Sequence, residues 1–317
     1  MKINSLRIQD AAERIEKYVH KTPVITSANL DIITGATIFF KCENLQKAGA
    51  FKSRGAVNAV FSLSGNELRN GVCTHSSGNH AAALARAASL RNTKAYVVMP
   101  NNSSKVKIAA VRNYNGEIIF CSPNLESREE TLKEIREKTD AVEIHPYNDY
   151  RIIAGQATAA KELIEQTDRL DIIMAPVGGG GLLSGTALAT KYFSPQTKVI
   201  AAEPKGADDA FRSFNTGIFT PSVNPQTIAD GLLTSLGSLT FPIIKKNVES
   251  IVTVREESIV EAMKLIWERT KLIIEPSSAV PFAAILENKK EFHKKRIGII
   301  ISGGNVDLKD LPWDSQP

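Results

Sequence analysis

Four short stretches carry the residues most able to do chemistry. The first is KAGAFKSRGAVNAV, residues 47–60, where Lys52 follows an aromatic residue and precedes a helix-like run. A lysine amine attacks carbonyl carbon once neighbours or desolvation lower its pKa. A helix N-terminus and the cation of nearby Arg54 both push that way. A solvated, idle side chain is the alternative for any single lysine. The second stretch, VGGGGLLSG (177–185), sets Gly178, Gly179, Gly180 and Gly181 ahead of a helix-like run. Unobstructed backbone N–H groups at a helix N-terminus make a phosphate cradle. The dinucleotide pattern of glycines at relative positions 0, 2 and 5 fails in every register. A triphosphate loop fails too, because Thr186 rather than lysine follows Gly185. These failures point to a monophosphate cofactor. Glu203, at the end of KVIAAE, mimics a ribose-binding acid and keeps a nicotinamide-dependent oxidoreductase open as a competing reading.

The third stretch is SSGNHAAALARAAS (76–89). Ser76, Ser77, Gly78 and Asn79 bring hydroxyls, an amide and free backbone donors to a helix start. That suits a carboxylate or another anion, and equally a plain helix cap. The fourth is IISGGN (300–305), which puts Ser302 at a strand end. Taken alone it reads as an ordinary turn. A further pair, Glu203 and Asp209 in AEPKGADDA, flanks a sharp connection with carbonyls between. Hard oxygen ligands of this kind suit Mg²⁺ or Ca²⁺, although a solvated acidic helix start has the same spacing. His20, His75, His145 and His293 show no metal-ligand spacing and read as core or surface residues.

The elements that must position these groups alternate along the chain. TIFFKCE, KAYVVMP, EIIFCS, DIIMAPV, KVIAAEP and RIGIII read as short apolar strands. Between them lie helix-like runs such as SKVKIAAVRNY, ESREETLKEIREKT, GLLSGTALATKYF and SSAVPFAAILENKK. That alternation predicts an α/β protein with parallel sheets covered by helices on both faces. Ligands then sit beyond the carboxyl ends of the strands, where all four stretches fall. The 317 residues allow two domains. No Gly/Pro/Ser-rich linker divides them, so the chain is expected to pass between domains more than once. The expected division is a large cofactor-binding domain of 1–68 and 149–317, with a small substrate-gripping unit of 69–148 inserted in it.

Composition excludes several classes. The net charge of +5 is spread along the chain, with no basic block interleaved with aromatics, which argues against nucleic acid. Three scattered cysteines, Cys42, Cys73 and Cys121, give no disulfide framework and no CxxC pair, and fit a reducing cytoplasm. The first 23 residues lack the apolar core of a signal peptide, and no apolar run is long enough to span a membrane.

In order, KCENLQKAGAFKSRG, SSGNHAAALA, PVGGGG and SGGN resemble the pyridoxal-phosphate enzymes of the tryptophan-synthase-β fold (fold type II). Within them the match is to serine/threonine dehydratases and serine racemases, from about residue 5 to Leu308. The resemblance implies two open, twisted, mostly parallel sheets covered by helices. It implies that Lys52 bonds covalently to the cofactor, Phe51 packs on its pyridine ring and Asn79 meets its 3′-oxygen. Gly178 to Gly181 would hold the phosphate and Ser302 would face the pyridine nitrogen. Ser76, Ser77, Gly78, Asn79 and His80 would grip the substrate carboxylate, with Arg128 and Ser235 near the substrate. Glu203, the Ala207 carbonyl and Asp209 match the racemase's metal ligands, and Glu275 in WERTKLIIEPSSA is also in place. A hydroxyl at Ser302 makes the ring a weaker electron sink than a carboxylate would, favouring prompt loss of a β-hydroxyl.

The implied activity is dehydration of L-serine or L-threonine to a 2-oxo acid and ammonia, with threo-3-hydroxyaspartate as an alternative substrate. Lys52 would take the α-proton. Ser77 occupies the place of the racemase's second acid/base, where many plain dehydratases carry alanine, so serine racemisation is expected as well. Ala48, Ala50 and Ser53 depart from the family pattern and bear on substrate preference. A homodimer is implied, and the regulatory extension of biosynthetic threonine dehydratases is not expected. A non-catalytic amino-acid-binding protein with this fold remains a reading of a different class.

Overall fold

The computed structural model describes residues 3–313, and within them ten strands form two sheets. The strands are β1 (Val24–Ile25), β2 (Thr37–Cys42), β3 (Val72–His75), β4 (Ala95–Pro100) and β5 (Glu117–Cys121). They continue with β6 (Val142–Glu143), β7 (Ile172–Pro176), β8 (Lys198–Pro204), β9 (Ser250–Val254) and β10 (Arg296–Ile301). The six-stranded sheet has the order β1-β2-β10-β7-β8-β9 and the four-stranded sheet the order β5-β4-β3-β6. Only the β1–β2 pair is antiparallel. The expected mostly parallel α/β architecture is therefore what the chain adopts.

The central strands read as unbroken apolar runs because helices cover both faces. Every residue of β7 is buried, and so is all of β10 after Arg296. Sequence alternation missed β9 and the two-residue strands β1 and β6. It also missed the helices Tyr150–Gln166 and Glu256–Thr270. The first of these helices is buried from Ile152 to Ala160 without a break.

Small residues let three helices approach closely. A Cβ on Gly155 would come within 2.6 Å of the Gly55 Cα, and one on Gly185 within 2.7 Å of the Ala157 nitrogen. Helix Lys52–Phe61 thereby packs on Tyr150–Gln166, which packs on Gly181–Phe193. The lysine helix and the glycine-loop helix are thus held through one shared neighbour.

Ions buried beneath this contact anchor the lysine segment. The Arg54 guanidinium, fully buried, donates to both Glu43 oxygens (2.7 and 2.8 Å) and to both Glu162 oxygens (2.7 and 2.8 Å). Lys41 adds a 2.6 Å bond to Glu162. Each charge is paired and hydrogen-bonded, the condition under which burial is tolerated. Removing either carboxylate would strand a buried cation. This corrects the expectation for Arg54: its charge is spent on Glu43 and Glu162 and plays no part in lowering the Lys52 pKa.

Candidate active site

Six loops converge where the strands end. Lys52 opens helix Lys52–Phe61 immediately after Phe51, whose ring centroid lies 5.1 Å from its Nζ. Nζ donates to the Pro146 carbonyl at 2.8 Å. Burial pushes its pKa down from 10.5 to about 8, against the opposing charge of Glu275. Desolvation alone therefore brings the amine into the range of a base at neutral pH. The Phe51 amide donates to the Ser302 carbonyl at 2.9 Å, which sets the lysine loop against the end of β10.

The loop around Pro146 connects the lysine to the glycines. His145 Nδ1 accepts from the Tyr147 and Asn148 amides (3.2 and 2.9 Å), so its proton sits on Nε2. Tyr147 lies across the glycine loop: a Cβ on Gly179 would collide with its ring, and one on Gly181 would come within 2.8 Å of its Cβ. Gly180 has φ +85°, a left-handed conformation that costs other residues dearly. The helix ladder begins with Ser184 N donating to Gly180 O at 2.8 Å, which leaves the amides ahead of it outside the ladder.

Asn79 starts helix Asn79–Leu90, and its Nδ2 donates to both Glu275 oxygens (3.0 and 3.1 Å). Its Oδ1 accepts from Asn305 Nδ2 at 2.9 Å. Burial, and then the charge of Asp230, push Glu275 up to about 7. Ser76 and Ser77 occupy the turn between β3 and Gly78, with the Gly78 amide donating to Ser76 Oγ at 3.4 Å. The His80 ring is buried and bonds Ile144 O at 3.0 Å. That Nε2 contact ties the loop to the protein, while Nδ1 is buried with no hydrogen-bond partner.

Ser302 is buried and bonds Ser278 at 2.9 Å. Arg128 lies in helix Leu125–Thr139 and carries a buried Nε with no hydrogen-bond partner. Ser235 Oγ accepts from the Ser222 amide at 2.8 Å. The structure thus brings Phe51, Lys52, Asn79 and Ser302 together, with the glycine loop joined to them through Pro146 and Tyr147. Sequence reasoning gave no individual part to Pro146 or Tyr147, which lie outside every motif and act through a carbonyl and a ring, nor to Ser278 and Asn305, which lie within WERTKLIIEPSSA and SGGN and act through their side chains.

These groups fit pyridoxal phosphate. A neutralisable amine would meet its carbonyl carbon, helix-start amides its phosphate and a strand-end hydroxyl its ring. The carboxylate pair fits a cation as well. Both Asp209 oxygens are buried without a hydrogen-bond partner. Glu203 accepts only from the Ala210 and Phe211 amides (3.1 and 2.8 Å). Burial pushes Glu203 up to about 9 and Asp209 up to about 6, the condition a bound divalent ion would reverse.

Comparison with known proteins agrees with this geometry. The profile of the family described as Pyridoxal-phosphate dependent enzyme matches residues 15–303. A beta-hydroxyaspartate dehydratase of Paracoccus denitrificans is 52% identical over 304 residues, 96% of each chain. The crystal structure of serine racemase from Dictyostelium discoideum is 52% identical with a TM-score of 0.92, covering 96% of this chain and 99% of that one. The crystal structure of a T.th. threonine deaminase is 41% identical, also at a TM-score of 0.92, with the same coverage. With the match spanning nearly the whole protein, this chain belongs to the pyridoxal-phosphate dependent enzyme family.

Proposed function

We propose that the protein eliminates water from 3-hydroxy amino acids, serine, threonine or 3-hydroxyaspartate, giving a 2-oxo acid and ammonia, and also racemises serine. The observation that carries this reading is the half-buried Lys52 amine, bonded to the Pro146 carbonyl and with its pKa lowered to about 8, at the meeting point of the phosphate-type loop and the Asn79 loop. Pyridoxal phosphate, when bound, supplies an electron sink that stabilises negative charge at the substrate Cα. Lys52 Nζ takes and returns the Cα proton on one side. Ser77 Oγ does so on the other, the arrangement that inversion at Cα requires. Phe51 supports the cofactor ring, Asn79 and Ser302 hold its edge, and Gly178 to Gly181 hold its phosphate. The turn from Ser76 to His80 grips the substrate carboxylate.

A 3-hydroxyaspartate substrate is favoured by one specific feature. Its second carboxylate needs a cation, and Arg128 has a buried nitrogen with no partner. The dehydratase of Paracoccus and the racemase of Dictyostelium are equally similar to this chain, so both substrate classes are assigned to it. Glu203, the Ala207 carbonyl and Asp209 hold Mg²⁺ or Ca²⁺, with Ser235 nearer the substrate. The division into 1–68 with 149–317 against 69–148 places the Ser77 loop and Arg128 on the small domain and Lys52 on the large one. The enzyme works as a cytoplasmic homodimer. Among the described residues, no helix is long and apolar enough to cross a membrane.

Product analysis tests the assignment. Purified protein is incubated with L-serine, D-serine, L-threonine and the 3-hydroxyaspartate diastereomers, and 2-oxo acid, ammonia and enantiomer are measured. Oxo acid and ammonia in equal amounts are expected. Their absence from every substrate refutes the reading.

A further inference from the structure

The turn 145–148 touches both halves of the site. Its Pro146 carbonyl accepts from the Lys52 amine at 2.8 Å. Its Tyr147 ring lies against Gly179, with Gly181 close by. The Asn148 side chain accepts from Leu239 N at 2.8 Å and donates to Ser238 Oγ at 3.1 Å. That fastens the turn to the segment where Thr240 Oγ donates to the Gly179 carbonyl at 2.8 Å. The turn has no backbone ladder of its own. Among the described residues, the Tyr147 and Asn148 amides find one acceptor each, and for both it is His145 Nδ1 (3.2 and 2.9 Å). Backbone amides only donate, so the direction of both bonds is fixed whatever the site holds. A side-chain acceptor bonded to amides a few residues on is the pattern Asn and Asp make at turns. Here the acceptor is an imidazole, and its ring also packs edge-to-face with Tyr147, centroids 4.6 Å apart.

We infer that His145 is a positioning residue that sets the Lys52 amine and the glycine loop together, through the one turn that contacts both. This rests on the reading that Lys52 is the reacting amine and that Gly178 to Gly181 hold a phosphate. Burial, and then the charges of His75 and Lys52, push the His145 pKa from 6.5 to about 4, against the opposing charge of Asp149. Nδ1 is therefore unprotonated and able to accept across the neutral range. Without that acceptor two amides lose their partner and the turn loosens. Water then takes the place of the Pro146 carbonyl at Lys52, and the Tyr147 ring no longer braces the glycine loop.

The test probes the two halves separately in the full chain. Pyridoxine phosphate, which has the ring and phosphate but no carbonyl for the lysine, reports on the glycine loop by calorimetric titration. Acylation against pH reports on Lys52. In His145→Ala the dissociation constant for pyridoxine phosphate is expected to rise about tenfold, the worth of one hydrogen bond. The Lys52 midpoint is expected to rise from about 8 toward 10.5 as water reaches the amine. His145→Asn places an amide oxygen where Nδ1 stood and is expected to keep both values near those of the parent. Tyr147→Ala is expected to weaken pyridoxine phosphate and leave the Lys52 midpoint in place. If His145→Ala leaves either value unchanged, or His145→Asn fails to hold both, the inference falls. If the parent itself binds no pyridoxine phosphate, or titrates Lys52 near 10.5, the reading of the site falls instead. Nitrogen NMR of the ¹⁵N-histidine-labelled holoenzyme gives a check that needs no variant. The expected signal is an imidazole protonated at Nε2 alone near pH 7, and a proton on Nδ1 overturns the inference.

Discussion

Replacing Glu275 by glutamine should change stability with opposite signs at low and high pH. The carboxyl is 5% exposed and accepts both its side-chain hydrogen bonds from one amide, Asn79 Nδ2. Its pKa rises from 4.5 to about 7, chiefly through burial. The folded state then binds more protons than the unfolded state between these values. Stability is highest below pH 4.5 and falls as pH rises toward 7. At about 1.4 kcal/mol per pKa unit, the ionised carboxylate costs the fold about 3 kcal/mol above pH 7. Glu275→Gln removes that charge while keeping the shape. It also turns one acceptor into a donor facing Asn79, a loss of about 1 kcal/mol. The variant should therefore be about 2 kcal/mol more stable than the parent at pH 8 and about 1 kcal/mol less stable at pH 4.5. Urea unfolding of both proteins, followed by circular dichroism across this range, measures the difference. A constant offset at every pH would refute the assignment of a buried, titrating carboxyl.

Three other outcomes are expected. Acylation of Lys52 in cofactor-free protein, quantified by peptide mass spectrometry, should rise with a midpoint near pH 8; a midpoint near the ordinary lysine value of 10.5 would mean that the amine is solvated. Ser77→Ala should retain elimination from L-serine and lose interconversion with D-serine, read by chiral chromatography, and undiminished racemisation would remove Ser77 from the mechanism. Gly179→Ala should cost about 1–3 kcal/mol by forcing a methyl into the Tyr147 ring, and Tyr147→Ala in the same chain should recover most of it, since the clash needs both side chains. Thermal unfolding of the two single variants and the double checks that coupling.

The motif residues were legible because their chemistry is local. Four adjacent glycines, a lysine after an aromatic residue and a Ser-Ser-Gly-Asn turn announce themselves by type and spacing. The parallel sheets were legible too, since strands buried on both faces must be continuously apolar, as β7 and β10 are. The two-residue strands were not, because so short a run leaves no period to read; the helix Tyr150–Gln166, buried from Ile152 to Ala160, was missed as well. Arg54 shows the limit more sharply. By sequence it stands two residues from Lys52, yet its guanidinium pairs with Glu43 and Glu162. Adjacency in the chain says nothing about which way a side chain turns.

By itself, the order of amino acids determined the class of fold, through the alternation of apolar strands and helices, and, through its resemblance to a known family, the cofactor; Lys52 as the reacting amine is what that resemblance implies. Only the folded chain decided how those groups are tuned. The pKa of the Lys52 amine is lowered by burial, that of Glu275 is raised by the same cause, and Tyr147 leaves no room for a side chain at Gly179 and Gly181. The physical reason is that desolvation, collision and hydrogen-bond direction depend on atoms brought close in space from distant parts of the chain. Residues 278 and 302, or 79 and 275, acquire their shared meaning only when the six loops meet.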